Sequence, residues 1–201
     1  MKLLYGSQNF GYDTKDSDKD WVEFVYPTWQ DILNNHKVSK EVKNEDGSIT
    51  KVKDIRCLLS MIEKCNFNDL QLLFSQEMYE CEDLKWFTDH REEIVKHNLK
   101  QLYFTNRGYV VGCLLRDNSK DRIRAYCFMQ LIERAFSNEP FSLHDENLRL
   151  LRELAHHQID PDSIIKRVDA LKEISLETSV NHMIIVQARK EIEKLLKINL
   201  K

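Results

Sequence analysis

Two aspartates near the N-terminus are the residues best suited to chemistry. Asp18 and Asp20 are two positions apart, where an aromatic and β-branched segment begins. Because side chains alternate across a strand, this spacing puts both carboxylates on one face. Two such carboxylates repel each other unless a cation lies between them, and Mg²⁺ prefers carboxylate oxygens together with phosphate oxygens. The pair therefore predicts a site for Mg²⁺ or Mn²⁺ with a phosphorylated ligand.

A Gly-Ser pair could bind the phosphate groups of that ligand. Gly6 and Ser7 end the short apolar run 2–5, and a polar loop connects them to Asp18. Glycine lets a phosphate approach the backbone, and the serine hydroxyl and exposed N–H groups can bind its oxygens. By itself, Gly-Ser is more often a plain turn, and Asp-x-Asp is more often a solvated loop or a helix cap. Their order and spacing together point to triphosphate binding.

The segment 5–20 contains Gly-Ser, a short spacer and Asp-x-Asp at the start of the next predicted strand. It thereby resembles the DNA polymerase β nucleotidyltransferase superfamily, in particular the predicted nucleotidyltransferases of the RNA-repair-pathway DNA polymerase β family. Gly11, Thr14 and Ser17 lie within the matching string. The resemblance continues at 54–74, with a helix, an Asn-rich turn and a Leu-x-Leu-Leu-Phe segment, so it covers roughly the first 75 residues.

The resemblance implies a metal-dependent enzyme that transfers a nucleoside monophosphate from a nucleoside triphosphate to an acceptor hydroxyl, with release of pyrophosphate. Gly6, Ser7 and Ser17 would contact the nucleotide. Asp18 and Asp20 would bind one or two metal ions that stabilise the attacking and departing oxygens. The acceptor could be an RNA end, a protein side chain or a small molecule.

A third carboxylate is expected in the Leu-x-Leu-Leu-Phe segment, where this chain has Gln71. Glutamine is uncharged and is a poor metal ligand or base. Asp69, two residues earlier on the same predicted strand face, is a candidate catalytic replacement or an ordinary turn residue, and Asp54 is a further candidate. One alternative function is therefore a catalytically degenerate nucleotide-binding regulatory or interaction protein. Another is a helical interaction protein with a remnant motif.

Basic and aromatic residues could complete the nucleotide site. Lys120, Arg122 and Arg124 begin a predicted helix, where they would contact the triphosphate or form a solvated face. Tyr12 lies in the loop near the predicted triphosphate, and its ring could stack on a base. Three tryptophans are more typical of a core or an interface: Trp21, Trp29 and Trp86.

Composition limits the other functional classes. The chain has 201 residues, of which 42% are apolar and 31% charged, and its formal net charge is −3, so no global positive field favours nucleic acid or membranes. It has no apolar run long enough to span a membrane, and its start is too short for a signal peptide. Five cysteines without C-x-x-C spacing favour reduced thiols in a cytoplasmic protein. The adjacent His156 and His157 would point about 100° apart on a helix, which disfavours a shared metal.

The elements that must position these residues change character near residue 80. Strands are predicted at 2–5, 20–26 and 70–74, a hairpin across Asp46-Gly47, and helices at 28–35, capped by Thr28, and 54–65. Further helices are predicted at 82–98, 99–115 with a break near Gly108, 120–137, 142–155, 161–174 and 177–197. The fold class is therefore α+β. Residues 1–80 form a small mixed β-sheet nucleotidyltransferase core flanked by helices, and residues 81–201 form an all-helical half that lines the active-site cleft.

Overall fold

The computed structural model describes residues 1–15, 17–116, 118–145, 148 and 159–200. It has one mixed sheet with strand order β3-β4-β2-β1-β5, in which β2 and β4 are parallel and the other neighbours are antiparallel. The five strands are β1 Lys2–Tyr5, β2 Asp20–Val25, β3 Ser39–Lys43, β4 Ile49–Asp54 and β5 Met78–Tyr79. The predicted α+β class is confirmed.

Helices flank the sheet and make up most of the C-terminal half. The α-helices are α1 Ser7–Phe10, α2 Trp29–Leu33, α3 Cys57–Glu63, α4 Phe67–Leu70, α5 Lys85–Asp89, α6 Arg91–Lys96, α7 Leu99–Leu115, α8 Ser119–Phe136, α9 Pro161–Asp169, α10 Lys172–Glu177 and α11 His182–Asn199. Two 3₁₀ helices, Gln71–Phe74 and Glu82–Leu84, connect neighbouring elements.

Several local predictions are confirmed. Thr28 caps α2 through a reciprocal pair of hydrogen bonds with Asp31, and β3 and β4 form the antiparallel hairpin expected around Asp46 and Gly47. The predicted break near Gly108 is wrong, because α7 is continuous through it. Packing of α7 along α8 outweighs the cost of about 1 kcal/mol for a helical glycine.

The strand predicted at 70–74 is also wrong. The Asn66 side chain accepts a hydrogen bond from the Asn68 N–H at 2.9 Å and starts α4, which continues into the 3₁₀ helix Gln71–Phe74. Every side chain of that 3₁₀ helix is buried. A fully buried apolar run does not distinguish a strand from a helix. The edge strand β5 instead pairs with β1.

The predicted helices at 82–98 and 161–174 are each divided. Residues 82–98 form a 3₁₀ helix, α5 and α6, and the stretch from 161 contains α9 and then α10. The predicted helix over 142–155 lies mostly outside the described residues, as do His156 and His157.

One hydrophobic core joins the sheet to the helices. Leu3, Val22 and Phe24 share the inner sheet face, since paired positions on neighbouring strands lie side by side. Helical residues such as Val110 and Phe128 are buried in the same core. The inner face therefore runs directly into the space between the sheet and α7–α8.

None of the described helices is both long and apolar enough to cross a membrane. All five cysteines are free thiols.

Candidate active site

A cleft of about 420 Å³ lies where the adjacent ends of β1 and β2 face α7 and α8. Its volume is within the usual range of ligand pockets, roughly 300–1,000 Å³. Six residues proposed from the sequence as nucleotide or metal contacts line it: Gly6, Ser7, Tyr12, Asp20, Lys120 and Arg124. The other lining residues are Tyr5, Phe10, Lys51, Asn68, Gln71 and Tyr109.

The Gly6 turn forms one wall of the cleft. Gly6 has φ 87° and ψ −149°, a conformation essentially restricted to glycine, and it directs the chain from β1 into α1. Its N–H donates a hydrogen bond of 2.8 Å to Gln71 Oε1. The chain leaves α1 through Gly11, which is left-handed at φ 89° and donates from its N–H to the Ser7 carbonyl at 3.0 Å. Both glycines thus shape the segment that carries Ser7.

Asp20 lies over this turn. It is paired with Tyr5 across β1 and β2, which places both side chains on the inner face at the cleft. Asp20 Oδ1 accepts a hydrogen bond of 3.3 Å from the Ile49 N–H. Asp20 Oδ2 lies 3.7 Å from the position that a Cβ on Gly6 would occupy, and it has no hydrogen-bond partner among the described residues. One carboxylate oxygen is therefore fixed and the other is available to a ligand.

Asp18 and Ser17 lie outside the cleft lining. Asp18 is exposed, two residues before β2. The Ser17 hydroxyl accepts a hydrogen bond of 2.8 Å from the Thr14 N–H, and the Ser17 carbonyl accepts one of 3.1 Å from Gln8 Nε2. Ser17 thus stabilises the loop that leads to Asp18, rather than contributing to the cleft surface.

The single carboxylate among the cleft-lining residues that the structure describes fits a cation that takes most of its ligands from water and substrate. The described part of the chain contains no group of three or more histidine, cysteine, aspartate or glutamate side chains that could hold a metal ion. Mg²⁺ commonly uses one or two carboxylates and completes its shell with water and substrate phosphate. The free oxygen of Asp20 suits that mode of binding, whereas Asp18 lies before β2 and outside the lining.

Gln71 lies behind the Gly6 turn and is fully buried. Its Oε1 accepts from the Gly6 N–H, and its Nε2 donates to the Asn68 carbonyl at 2.9 Å. Its own carbonyl accepts a hydrogen bond of 2.9 Å from Asn9 Nδ2. The side chain links the turn to the α4 segment.

Neither candidate replacement carboxylate lines the cleft. Asp69 is on α4, so the prediction that it shares a strand face with Gln71 is wrong: residues two apart on a helix point about 200° apart. Burial raises the pKa of Asp69, and nearby lysines oppose the effect; Lys53 Nζ is 4.0 Å from Asp69 Oδ1. Asp54 is on the outer sheet face, buried against Arg56 at 2.6 Å, and does not face the cleft.

Three cations line the cleft. Lys120 and Arg124 are one helical turn apart on α8, which puts both on the same side. Arg122, halfway between them, is not part of the lining. Lys51 comes from β4, and its Nζ lies 4.5 Å from the centroid of the Tyr5 ring. The basic cluster seen in the sequence therefore contributes its first and third members.

An ion-pair network fixes Arg124. Asp121 accepts hydrogen bonds from Arg116 Nε at 2.8 Å, Asn118 Nδ2 at 2.8 Å and Arg124 Nη1 at 3.2 Å. The hydrogen bonds from Arg116 are the main reason that the pKa of Asp121 is held well below its usual range. Arg124 Nε is buried without a hydrogen-bond partner in the described structure. Arg124 Nη1 is thus anchored by Asp121, while Nε lacks a hydrogen bond among the described residues.

Tyrosines form the rest of the wall. Burial raises the pKa of Tyr5 to about 12 and raises the pKa of Tyr12, which Arg124 opposes by charge and hydrogen bonding. Tyr109 packs on Phe128 with ring centroids 4.3 Å apart, and burial raises its pKa. All three phenols therefore stay protonated near neutral pH. None of the described lining residues is a tryptophan.

Sequence reasoning missed Lys51 and Tyr109. Lys51 could have been found from strand alternation once β4 was placed beside β2, because Lys51 pairs with the inner-face residue Val22. Tyr109 has no comparable signal, since its position depends on how α7 packs.

No protein-family model, curated protein or solved structure matches this chain.

Proposed function

We propose that this protein is a metal-dependent nucleotidyltransferase that transfers a nucleoside monophosphate from a nucleoside triphosphate to an acceptor hydroxyl. The observation that carries the proposal is the position of Asp20 over the Gly6 turn, in one cleft with Lys51, Lys120 and Arg124. The resemblance of segment 5–20 supports the same reaction.

The charge of the cleft supports a polyanionic ligand that binds together with a cation. Three cationic side chains and one carboxylate are among its lining residues. Charge-assisted hydrogen bonds from lysine and arginine are strong contacts for phosphate. Arg124 Nε, buried and without a partner among the described residues, would donate a hydrogen bond to a phosphate oxygen.

Each residue then has a role in the transfer. Gly6 and Ser7 bind phosphate oxygens, while Lys120 and Arg124 neutralise the outer phosphates. Asp20, with Asp18, holds the divalent cation, which when bound stabilises charge on the attacking and departing oxygens. The acceptor oxygen forms a bond to the α-phosphorus as the bond to pyrophosphate breaks, and the hydroxyl proton leaves to a base or to water.

Asp69 is the proposed base for that proton. A raised pKa suits a general base, and the charge of Asp69 acts on the cleft residue Tyr5, whose pKa it helps to raise. Replacing Asp69 by Asn should lower turnover and leave metal affinity unchanged. Loss of metal affinity would assign Asp69 to the metal site instead.

A degenerate nucleotide-binding protein is the second candidate. It is favoured by one observation: Asp20 is the only carboxylate among the described lining residues. The acceptor would be an RNA end, a protein side chain or a small molecule for the enzyme, and is not needed for the second candidate. The free thiols support a cytoplasmic location for either.

Nucleotide-dependent stabilisation and pyrophosphate release test both candidates. Each nucleoside triphosphate is added with Mg²⁺ or Mn²⁺. At 100 times its dissociation constant, a true ligand stabilises the fold by about 2.7 kcal/mol, roughly 5–11 °C for a chain of this length. Asp20→Asn should abolish pyrophosphate release, whereas Asp89→Asn, at an exposed position outside the cleft, should not. Stabilisation without release under any condition would favour the second candidate, and absence of both would refute the two together.

A further inference from the structure

The resemblance implies a glutamate where this chain has Gln71, so the position is either a lost metal ligand or has another task. We infer that Gln71 is a positioning residue: its carboxamide holds the Gly6 turn against α4 by acting as hydrogen-bond donor and acceptor at once. The inference rests on the proposed function only where it concerns nucleotide binding.

The hydrogen bonds of Gln71 require an amide. Its Oε1 accepts from the Gly6 N–H at 2.8 Å, while its Nε2 donates to the Asn68 carbonyl at 2.9 Å. A glutamate carboxylate would keep the first bond. It would place an anionic oxygen against the Asn68 carbonyl and lose the second. The site is fully buried, so water would not replace the lost donor.

A second buried amide repeats the arrangement. Asn9 Nδ2 donates to the Gln71 carbonyl at 2.9 Å, and Asn9 Oδ1 accepts from the Gln76 N–H at 2.9 Å. Asn9 is also fully buried and uses both ends of its amide. Aspartate at this position would lose a donor in the same way. Two adjacent amides, each satisfied at both ends, indicate a built network rather than a decayed ligand site.

This network sets the separation between the turn and the carboxylate. Gln71 fixes the Gly6 N–H, and the Cβ position of Gly6 is 3.7 Å from Asp20 Oδ2. A displaced turn would misplace phosphate oxygens relative to the metal-binding oxygen. Changes at Gln71 should therefore raise the KM for the nucleotide.

Gln71→Glu distinguishes the two explanations because protonated glutamate reproduces the amide. A neutral carboxyl group accepts from Gly6 and donates to Asn68, whereas the ionised form cannot donate. Burial and this hydrogen bond would both raise the pKa of Glu in the folded state. The stabilisation that this protonated side chain contributes is then complete below the pKa of Glu in the unfolded chain, about 4.3. It is lost as the pH rises through the higher pKa that the same side chain has in the folded protein. If Gln71→Glu instead restored a metal ligand, the ionised side chain would bind Mn²⁺ more tightly than wild type does.

The experiment compares wild type, Gln71→Glu and the matched control Gln76→Glu, in which the same charge is added at an exposed side chain. Thermal midpoints are measured between about pH 5 and pH 8, with Mn²⁺ titrations at the upper end. We expect the midpoint of Gln71→Glu to fall relative to the control as pH rises. At the upper pH, the ionised side chain of Gln71→Glu cannot donate to the Asn68 carbonyl. Loss of this one hydrogen bond should raise the nucleotide KM of the variant about tenfold, without tighter Mn²⁺ binding.

The opposite pattern would overturn the inference. Midpoints of Gln71→Glu that match those of Gln76→Glu at every pH would contradict the inference. Tighter Mn²⁺ binding with faster turnover would identify a vacated ligand site instead. Should Gln71→Glu fail to fold at neutral pH, Asn9→Asp must show the same recovery on acidification; if it does not, the inference is wrong. A wild type that binds no nucleotide defeats the proposed function, and the pH dependence of unfolding then decides the inference alone.

Discussion

Gly6→Ala tests the turn on which the candidate site is built. At φ 87° and ψ −149°, a residue with a Cβ is strained by about 1–3 kcal/mol. The nearest atoms to the added Cβ are Asp20 Oδ2 at 3.7 Å and Asp20 Cβ at 4.0 Å. These are ordinary van der Waals distances, so no steric clash increases the cost. One kcal/mol corresponds to about 2–4 °C for a chain of this length, and the thermal midpoint should fall by roughly 2–12 °C.

Gly108→Ala provides a control of opposite sign. Gly108 lies within α7, and a Cβ added there would have no heavy atom of another described segment within 4 Å. Alanine at this position reduces the entropy of the unfolded chain and favours the helix, so the variant should gain about 0.4–1 kcal/mol. Both variants are compared by thermal unfolding followed by far-ultraviolet circular dichroism.

The two variants are then heated with nucleotide and Mg²⁺. The added methyl group at Gly6 stands between the turn and the free oxygen of Asp20, so nucleotide-dependent stabilisation should be lost there and retained in Gly108→Ala. A Gly6→Ala protein at least as stable as wild type would show that residue 6 does not adopt the backbone conformation that strains a residue with a Cβ. Undiminished stabilisation by nucleotide would remove the turn from the binding site.

Two further substitutions examine the surroundings of the cleft. Asp121 has a depressed folded pKa, chiefly through Arg116, so its stabilisation is present above the unfolded value of about 3.9 and lost as pH falls through the folded value. Asp121→Asn should therefore lower the free energy of unfolding at neutral pH, by an amount that shrinks on acidification. An equal loss of unfolding free energy in urea at neutral and at acidic pH would contradict this. Asn106 accepts from the Phe67 N–H at 3.0 Å and donates to the Cys65 carbonyl at 2.8 Å. Asn106→Leu leaves both groups buried and unpaired and should cost about 2–4 kcal/mol in urea unfolding; a change within about 0.5 kcal/mol, as at a neutral surface position, would refute the reasoning.

Local chemistry explains which elements could be predicted. A short apolar run that stops at Gly6 indicates β1, and aromatic and β-branched residues indicate β2. Thr28 indicates the start of α2, and Asp46-Gly47 indicates the hairpin. Each of these signals acts within a few residues, so tertiary packing did not need to be known.

The segment around Gln71 could not be predicted in the same way. Leu70, Leu72, Leu73 and Phe74 are all buried, and complete burial removes the periodicity that separates a strand from a helix. The Asn66 cap and contacts with the sheet decided in favour of a helix. The predicted relation between Asp69 and Gln71 was lost with the strand.

Sequence alone determined the turn at Gly6 and the nearby Asp20, because both are ends of strands joined by one loop. Only tertiary structure decided which cations face them. The helical phase of α8 turns Lys120 and Arg124 toward the cleft and Arg122 away, and the register of β4 brings in Lys51. These positions depend on how helices and strands from distant parts of the chain pack together, and residue spacing within one element does not encode that packing.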